Sequence, residues 1–491
     1  MNAKTLMLLS ATGMIATGAV VWTTTTPAHG SAPAGPAVAV SDLPKLPIAP
    51  PPDHSHFQAG KTLMVEGRLG HAVLPSNTEN ETFLYVDVTG ANVVAKNPAP
   101  LALSIVIDRS GSMAGKRLVN ALAAARTAIE RLRDGDVVNV VTFDTKTDVV
   151  VQPTAVSAES RPRMIKALAS IRVGGDTCIS CGVDTAMNLL GQRDGMVNRI
   201  LVLSDGQPTA GVRDVEGFRQ IAENCRRMGA AVTTIGVDVA YDEKIMSALA
   251  RSSNGHHFFV ADPTGLPSIF DKEMASLTKT VANRAELIVD LAPGVFADHV
   301  FDRVTTGDGS QLTVPLGSFS AGDRKTLLVR LRVPRGADGE RPIASVRLHY
   351  DDLADATKPG NCEGKLAARL SSDATALTTL DPFVSARVSA TETAETLEEA
   401  NGLFRAGRAA DARGLIERQQ VRLKRSRDAA KAAAPSWQRR EVSAKFDANN
   451  DRLSGAGSGF NTSPAAAPPA ADPAGQAQVR KNQEDAVTAT E

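Results

Sequence analysis

The stretch Leu101-Ala102-Leu103-Ser104-Ile105-Val106-Ile107-Asp108-Arg109-Ser110-Gly111-Ser112 decides the fold. Residues 101–107 read as a strand buried on both faces, the habit of strands in parallel sheets. A helix follows, with Leu118, Leu122, Ala125, Ile129 and Leu132 recurring every three or four residues. Strand followed by helix is half of a βαβ unit, and the alternation continues outward. Residues 137–143 read as a second strand, 148–151 as a short edge strand, and 163–171 and 183–190 as helices. Residues 200–204, 231–237 and 256–260 read as further strands, with a helix over 215–228 ended by Gly229. Six strands with interleaved helices predict a doubly wound, mostly parallel, Rossmann-like α/β sheet over residues 98–282. Its functional site is then expected at the carboxyl ends of the central strands.

At 491 residues the chain has room for about three domains. Residues 31–60 are rich in Pro and Ala and read as a linker. Residues 61–97 break into short β-type runs at 62–65, 71–74 and 82–88, predicting an N-terminal β module. The β pattern returns over 283–380, with runs at 286–291, 311–314, 326–333 and 343–350, predicting a second module of β-sandwich type. Over 385–445 a helical hairpin is expected: Leu397, Ala400, Leu403 and Phe404 share one face, Gly407 stands near the turn, and Ala412, Leu415, Ile416 and Leu423 lie on the second helix. From Gly455 onward Ala, Pro, Gly and Gln dominate, so residues 455–491 are expected to be a disordered tail.

No acid precedes Asp42, Lys4 leads an apolar stretch over 5–22, and Ala28-His29-Gly30 offers small residues for cleavage. Residues 1–30 therefore read as a signal peptide, placing the mature chain in the periplasm, on the cell surface or outside the cell. The alternative is a membrane anchor left uncleaved, which the Ser, Thr and Gly residues dilute. Lys+Arg and Asp+Glu are each 54, so no global field recruits nucleic acid or an anionic membrane, and an aromatic content of 4% leaves few stacking platforms for bases. Locally the balance differs: residues 405–445 hold 12 basic and 4 acidic residues. Two readings stay open there, a solvated and internally paired face, or peripheral contact of a basic helix with an acidic protein or the cell envelope.

Asp108, Ser110 and Ser112 put three oxygen side chains at alternate positions of one loop, which can turn all three inward. Alone, such a loop reads equally as a helix cap. Thr177, on the Gly-rich loop Gly174-Gly175-Asp176-Thr177, and Asp205, just past the strand over 200–204, bring two further oxygens to the same switch point. Mg²⁺ favours an octahedral set of hard oxygens with few direct carboxylates, which such a group supplies.

In these five residues the sequence resembles the von Willebrand factor type A domain and its metal-ion-dependent adhesion site. Asp108, Ser110, Ser112, Thr177 and Asp205 match the family pattern in order and without departure, and the likeness spans residues 101–280. It implies that Ser110 and Ser112 ligate Mg²⁺ (or Mn²⁺ or Ca²⁺) directly, Thr177 directly or through water, and Asp108 and Asp205 mostly through water. The remaining coordination position is then taken by an Asp or Glu of a partner protein. The flanking β runs resemble bacterial relatives of calcium-activated chloride channel and inter-alpha-trypsin inhibitor heavy-chain proteins. No His-Glu-x-x-His accompanies them.

Cys178 and Cys181 directly follow Thr177. In an oxidising compartment they read first as a structural disulfide, with a redox-active pair as the sharper alternative. Cys225 and Cys362 carry no readable role. Residues 111–117 imitate a phosphate loop but are one residue short, with Arg117 where Ser or Thr is needed, so nucleotide binding is rejected. His54 and His56 read as incidental rather than as a metal pair. The reading is a non-enzymatic, exported adhesion or scaffolding protein; the alternatives are a thiol-disulfide redox protein using Cys178 and Cys181, or a structural envelope component.

Overall fold

The computed structural model describes residues 54–93, 99–191, 193, 195–238, 241–303, 305–355, 359–460 and 472–490. The expected signal peptide over 1–30 and most of the linker over 31–60 lie outside them.

The α/β unit contains strands β5 (Leu101–Asp108), β6 (Val137–Phe143), β7 (Thr147–Ala155), β8 (Val197–Ser204), β9 (Ala230–Val237) and β10 (His257–Val260). Four strands precede it: β1 (His56–Gly60), β2 (Leu63–Leu69), β3 (Val73–Pro75) and β4 (Asn80–Gly90). The six strands order as β10-β9-β8-β5-β6-β7, all parallel except β7, which pairs antiparallel with β6 at one edge. Alternation along β5 supplies both faces of the sheet. Leu101, Leu103, Ile105 and Ile107 face helices α1 (Lys116–Arg131), α2 (Ser160–Leu168) and, later in the chain, α6 (Leu266–Leu277). Ala102 and Val106 face α3 (Ile179–Leu190), α4 (Val215–Arg227) and α5 (Glu243–Ser252). The chain leaves β5 toward β6 and leaves β8 toward β9, so the crevice opens between the ends of β5 and β8.

Six more strands complete the β structure: β11 (Thr280–Leu291), β12 (Phe296–Phe301), β13 (Gln311–Ser320), β14 (Arg324–Val333), β15 (Gly339–Asp352) and β16 (Gly360–Ser371). The two β modules expected over 61–97 and 283–380 are in fact one sandwich. One sheet orders β1-β2-β4-β14-β12 and the other β13-β11-β15-β16-β3, and a single apolar core from Leu63 to Leu370 fills the space between them. The physical reason is that a few short strands cannot bury a face alone. β4 therefore pairs antiparallel along its length with β14, Asn80 opposite Val333 through Thr89 opposite Arg324, and the α/β unit is an insertion between β4 and β11. β1 lies where the linker was expected to continue to residue 60.

The hairpin expected over 385–445 is part of a four-helix layer: α7 (Pro382–Arg405), α8 (Ala409–Ala433), α9 (Arg439–Gly459) and α10 (Pro473–Thr490). Gly407 makes the α7–α8 turn at φ +79°, a conformation that costs a residue with a β-carbon more. The disordered tail expected from Gly455 is corrected: Ala456 and Phe460 are buried, and α10 buries Val479, Ala486 and Val487. Each of those valines contributes roughly 1.5 to 3 kcal/mol relative to exposure, enough to dock an otherwise polar helix. Composition hides that spacing. Residues 461–471 lie outside the described residues.

Candidate metal centre

The end of β5 delivers Asp108 fully buried at the mouth of the crevice. Two hydrogen bonds fix its carboxylate: the Ser110 amide donates to Oδ1 at 2.8 Å, and Ser204 Oγ donates to Oδ2 at 2.5 Å. Ser204 reaches it because β5 and β8 pair in register, Ile107 opposite Leu203. Beyond Asp108 the chain makes a short 3-10 turn over Gly111–Met113, and Met113 is driven fully into the core. That anchor leaves Ser110 buried and Ser112 exposed, with their hydroxyls 3.1 Å apart. Ser112 Oγ donates to Asp205 Oδ1 at 2.7 Å.

The second loop is tied to the first by backbone. Gly174 N donates to the Arg109 carbonyl at 2.6 Å, and Gly111 N donates to the Gly175 carbonyl at 3.1 Å. This approach needs glycine: a β-carbon on Gly174 would stand 1.8 Å from Asp144 Oδ2. Asp144 in turn binds Arg109 at 2.9 Å, locking the loop base. Thr177 is buried, its amide donates to Thr209 Oγ1 at 2.9 Å, and its carbonyl accepts from the amides of Thr209 and Ala210. Its hydroxyl and that of Ser112 converge, lying 3.3 and 3.6 Å from the point where a β-carbon on Gly206 would stand. All five predicted residues thus meet at one place.

Charge is short there. Asp108 and Asp205 are both fully buried, and burial pushes Asp108 up to about 6 against the bonds from Ser204 and Ser110. Burial also raises Asp205, against Ser112 and Arg117. The Arg117 guanidinium stands 3.3 Å from Asp205 Oδ2 but directs its hydrogen bonds to the Ser112 carbonyl, at 2.6 Å, and to Asp238. Asp205 Oδ2 is buried and accepts no hydrogen bond. A buried carboxylate oxygen without a donor is costly unless a cation completes it. Three hydroxyls and two carboxylates, one of them carrying that orphan oxygen, fit a hard divalent ion. Among the described residues no group of three or more His, Cys, Asp or Glu gathers to hold one, here or elsewhere, so hydroxyls make up most of this set.

Arg117, Ser204 and Asp144 were not predicted. A polar residue ending β8 beside Asp205 was a signal for Ser204; Arg117 was read only as a defect in a phosphate loop. Cys178 and Cys181 lie together at the start of α3, Cα atoms 5.3 Å apart, and pack against Gly211, whose φ of +70° brings its backbone to the Cys178 sulfur. Val212 N donates to Ser180 Oγ at 3.0 Å, closing the same contact. The Cys225 and Cys362 thiols are buried and pushed up to about 12 and about 11, so neither is a ready nucleophile. His54 and His56 bind separate carboxylates, Glu340 and Glu66.

Comparison with known proteins agrees with this architecture. Residues 103–272 match the von Willebrand factor type A domain. The uncharacterized protein sll0103 of Synechocystis sp. is 24% identical over 273 residues, 52% of this chain and 62% of that protein. Mouse inter-alpha-trypsin inhibitor heavy chain H2 is 25% identical over 170 residues, 32% of this chain and 18% of that one. This chain therefore spans less than two thirds of the length of either. A solved von Willebrand factor type A protein from Catenulispora acidiphila superposes with a TM-score of 0.62 at 18% identity, covering 75% of this chain and 91% of that structure. The six-stranded sheet, its crevice and these likenesses identify residues 103–272 as a von Willebrand factor type A domain, set into a β-sandwich and followed by helices.

Proposed function

We propose that this chain is an exported, non-enzymatic binding protein that captures an acidic side chain of a protein partner at a divalent cation. Domains of this family typically mediate protein–protein interaction or adhesion and commonly bind such an ion. The observation that carries the reading is that Asp205, whose Oδ2 is buried without a hydrogen-bond donor, receives Ser112 on its other oxygen where the Ser112 and Thr177 hydroxyls converge. Ser110, Ser112 and Thr177 would hold Mg²⁺ (or Mn²⁺ or Ca²⁺), with Asp108 and Asp205 orienting the hydroxyls and any intervening water. A cation held largely by neutral hydroxyls supplies net positive charge that a partner's carboxylate neutralises. Asp108 positions the loop through the Ser110 amide, while Asp205 orients Ser112. Ser112, the exposed member, marks the side from which a partner approaches.

Cys178 and Cys181 we read as a disulfide formed in an oxidising compartment, stiffening the segment that carries Thr177. The experiment is capture of partners from an envelope extract with Mg²⁺ or with chelator, using wild type, Ser110→Ala and Thr177→Ala. Capture that needs Mg²⁺ and is lost in both variants while they stay folded supports the reading. Capture indifferent to chelator and to both substitutions contradicts it.

A further inference from the structure

The turn between α8 and α9 holds Trp437 at 77% exposure, the most exposed large apolar side chain among the described residues. The turn is not loose: Gln438 N donates to the Pro435 carbonyl at 3.0 Å and Arg439 Nε to the Ala434 carbonyl at 3.1 Å. Ala434 beneath it is buried, so the indole is held outward by a packed base. Exposing an indole costs free energy in water, and Trp437 contributes nothing to the bundle core that α8 and α9 build through Leu423, Ala430, Val442 and Phe446.

The neighbouring charge is predominantly positive. Arg422, Lys424, Arg425, Lys431 and Arg440 are exposed, and none has an ion-pair partner among the described residues. Arg427 engages Asp428 and Asp447, at 3.6 and 2.9 Å, which removes two nearby carboxylates. Glu417 and Glu441 remain exposed, too few to balance the cations. Leu423 and Ala430 face the bundle, so the solvent side of α8 carries the cations on both flanks of Val421, itself 53% exposed.

A protein-binding hot spot gathers apolar side chains into one desolvated patch. Here Val421 and Trp437 stand apart, each set among cations and small residues such as Ala432, Ala433 and Pro435. That pattern suits a bilayer surface: an indole is most at home at headgroup depth, and unpaired Lys and Arg are drawn to anionic headgroups. Among the described residues no helix is long and apolar enough to cross a membrane. We infer that the outer face of α8 and the Trp437 turn form a docking surface for an anionic phospholipid bilayer, independent of the metal centre.

The sequence has two tryptophans, Trp22 and Trp437, so Trp22→Phe in the full chain makes emission report Trp437 alone. Titrate that chain with phosphatidylglycerol–phosphatidylcholine vesicles and with pure phosphatidylcholine vesicles. The expected result is a blue shift with the anionic vesicles only, reversed by high salt. In co-sedimentation, Trp437→Ala is expected to weaken the charge-dependent binding about tenfold and Arg422→Glu/Arg425→Glu more than tenfold, with helix content unchanged by circular dichroism. No shift on anionic vesicles, an equal shift on neutral ones, or a shift only on adding envelope protein overturns the inference. Wild-type binding by both variants would do the same, by assigning vesicle capture to the N-terminal apolar stretch.

Discussion

Two buried acidic places near the carboxyl edge of the central sheet differ in one respect. At Glu243, in the first turn of α5, the carboxylate is 4% exposed and lies between Arg405 of α7 and Arg480 of α10, the latter at 3.0 Å. Arg480 also donates to the Tyr241 carbonyl and lies over the Tyr241 ring. At Asp108 and Asp205 two buried carboxylates have a guanidinium beside only one of them, that of Arg117 at 3.3 Å from Asp205, and it spends its hydrogen bonds elsewhere. The first place is electrically closed and holds helices to the sheet. The second is open, and on that difference rests the proposal that it takes a cation rather than serving as a joint.

Removing charge from the two places therefore has opposite consequences. Glu243→Gln leaves the buried Arg480 without its counter-ion and is expected to cost about 3 to 5 kcal/mol in urea unfolding. Asp205→Asn removes a carboxylate that burial already disfavours, and in chelator its cost is expected to stay within about 1 kcal/mol. Equal losses would erase the distinction.

Beside the closed place, His257 is buried, with Nδ1 2.8 Å from Thr234 Oγ1 and Nε2 3.3 Å from Tyr241 OH. Burial lowers its pKa to about 3, whereas the unfolded chain takes up a proton near 6.5. Between those values the unfolded state binds the proton that the folded state refuses. This contribution is whole above about pH 6.5 and falls by about 1.4 kcal/mol per unit below it. Stability measured from pH 7 to pH 4 is expected to show this slope, flattened in His257→Asn; identical slopes would refute it.

Beside the open place, Cys178→Ser/Cys181→Ser is expected to remove about 2 kcal/mol of stability, the loop-closure contribution of so small a ring, and to weaken Mg²⁺ binding severalfold. Parallel denaturant and calorimetric titrations separate the two effects. The smallest expected loss of stability, under about 1 kcal/mol, belongs to Gly206→Ala, whose new methyl has the Thr177 and Ser112 side chains as its nearest neighbours, at 3.3 Å and beyond. Yet it enters the space those hydroxyls share, so Mg²⁺ binding is expected to fall at least tenfold. Unchanged affinity would show that the ion, if bound, sits elsewhere.

The two places also differ in how far they can be read from sequence. Asp108, Ser110, Ser112, Thr177 and Asp205 each stand at a strand end or on a Gly-marked loop, where local pattern and the switch-point rule bring them together. Ser204 depends on the β5–β8 register, and Arg117 on how α1 leaves its loop, neither of which leaves a local mark. Glu243 with Arg405 and Arg480 joins segments more than 150 residues apart in the numbering, and α10 itself was hidden under a composition that suggests disorder. The β4–β14 pairing was out of reach for the same reason: each half reads as a set of strands, and only the core shared across the insertion makes them one sandwich.

Calorimetric titration of Mg²⁺ into the full chain, wild type beside Asp205→Asn, tests the central claim most directly. One ion bound per wild-type chain, with binding lost in the variant while its unfolding transition is retained, is the predicted result. No binding by wild type, or equal binding by both, would contradict the account.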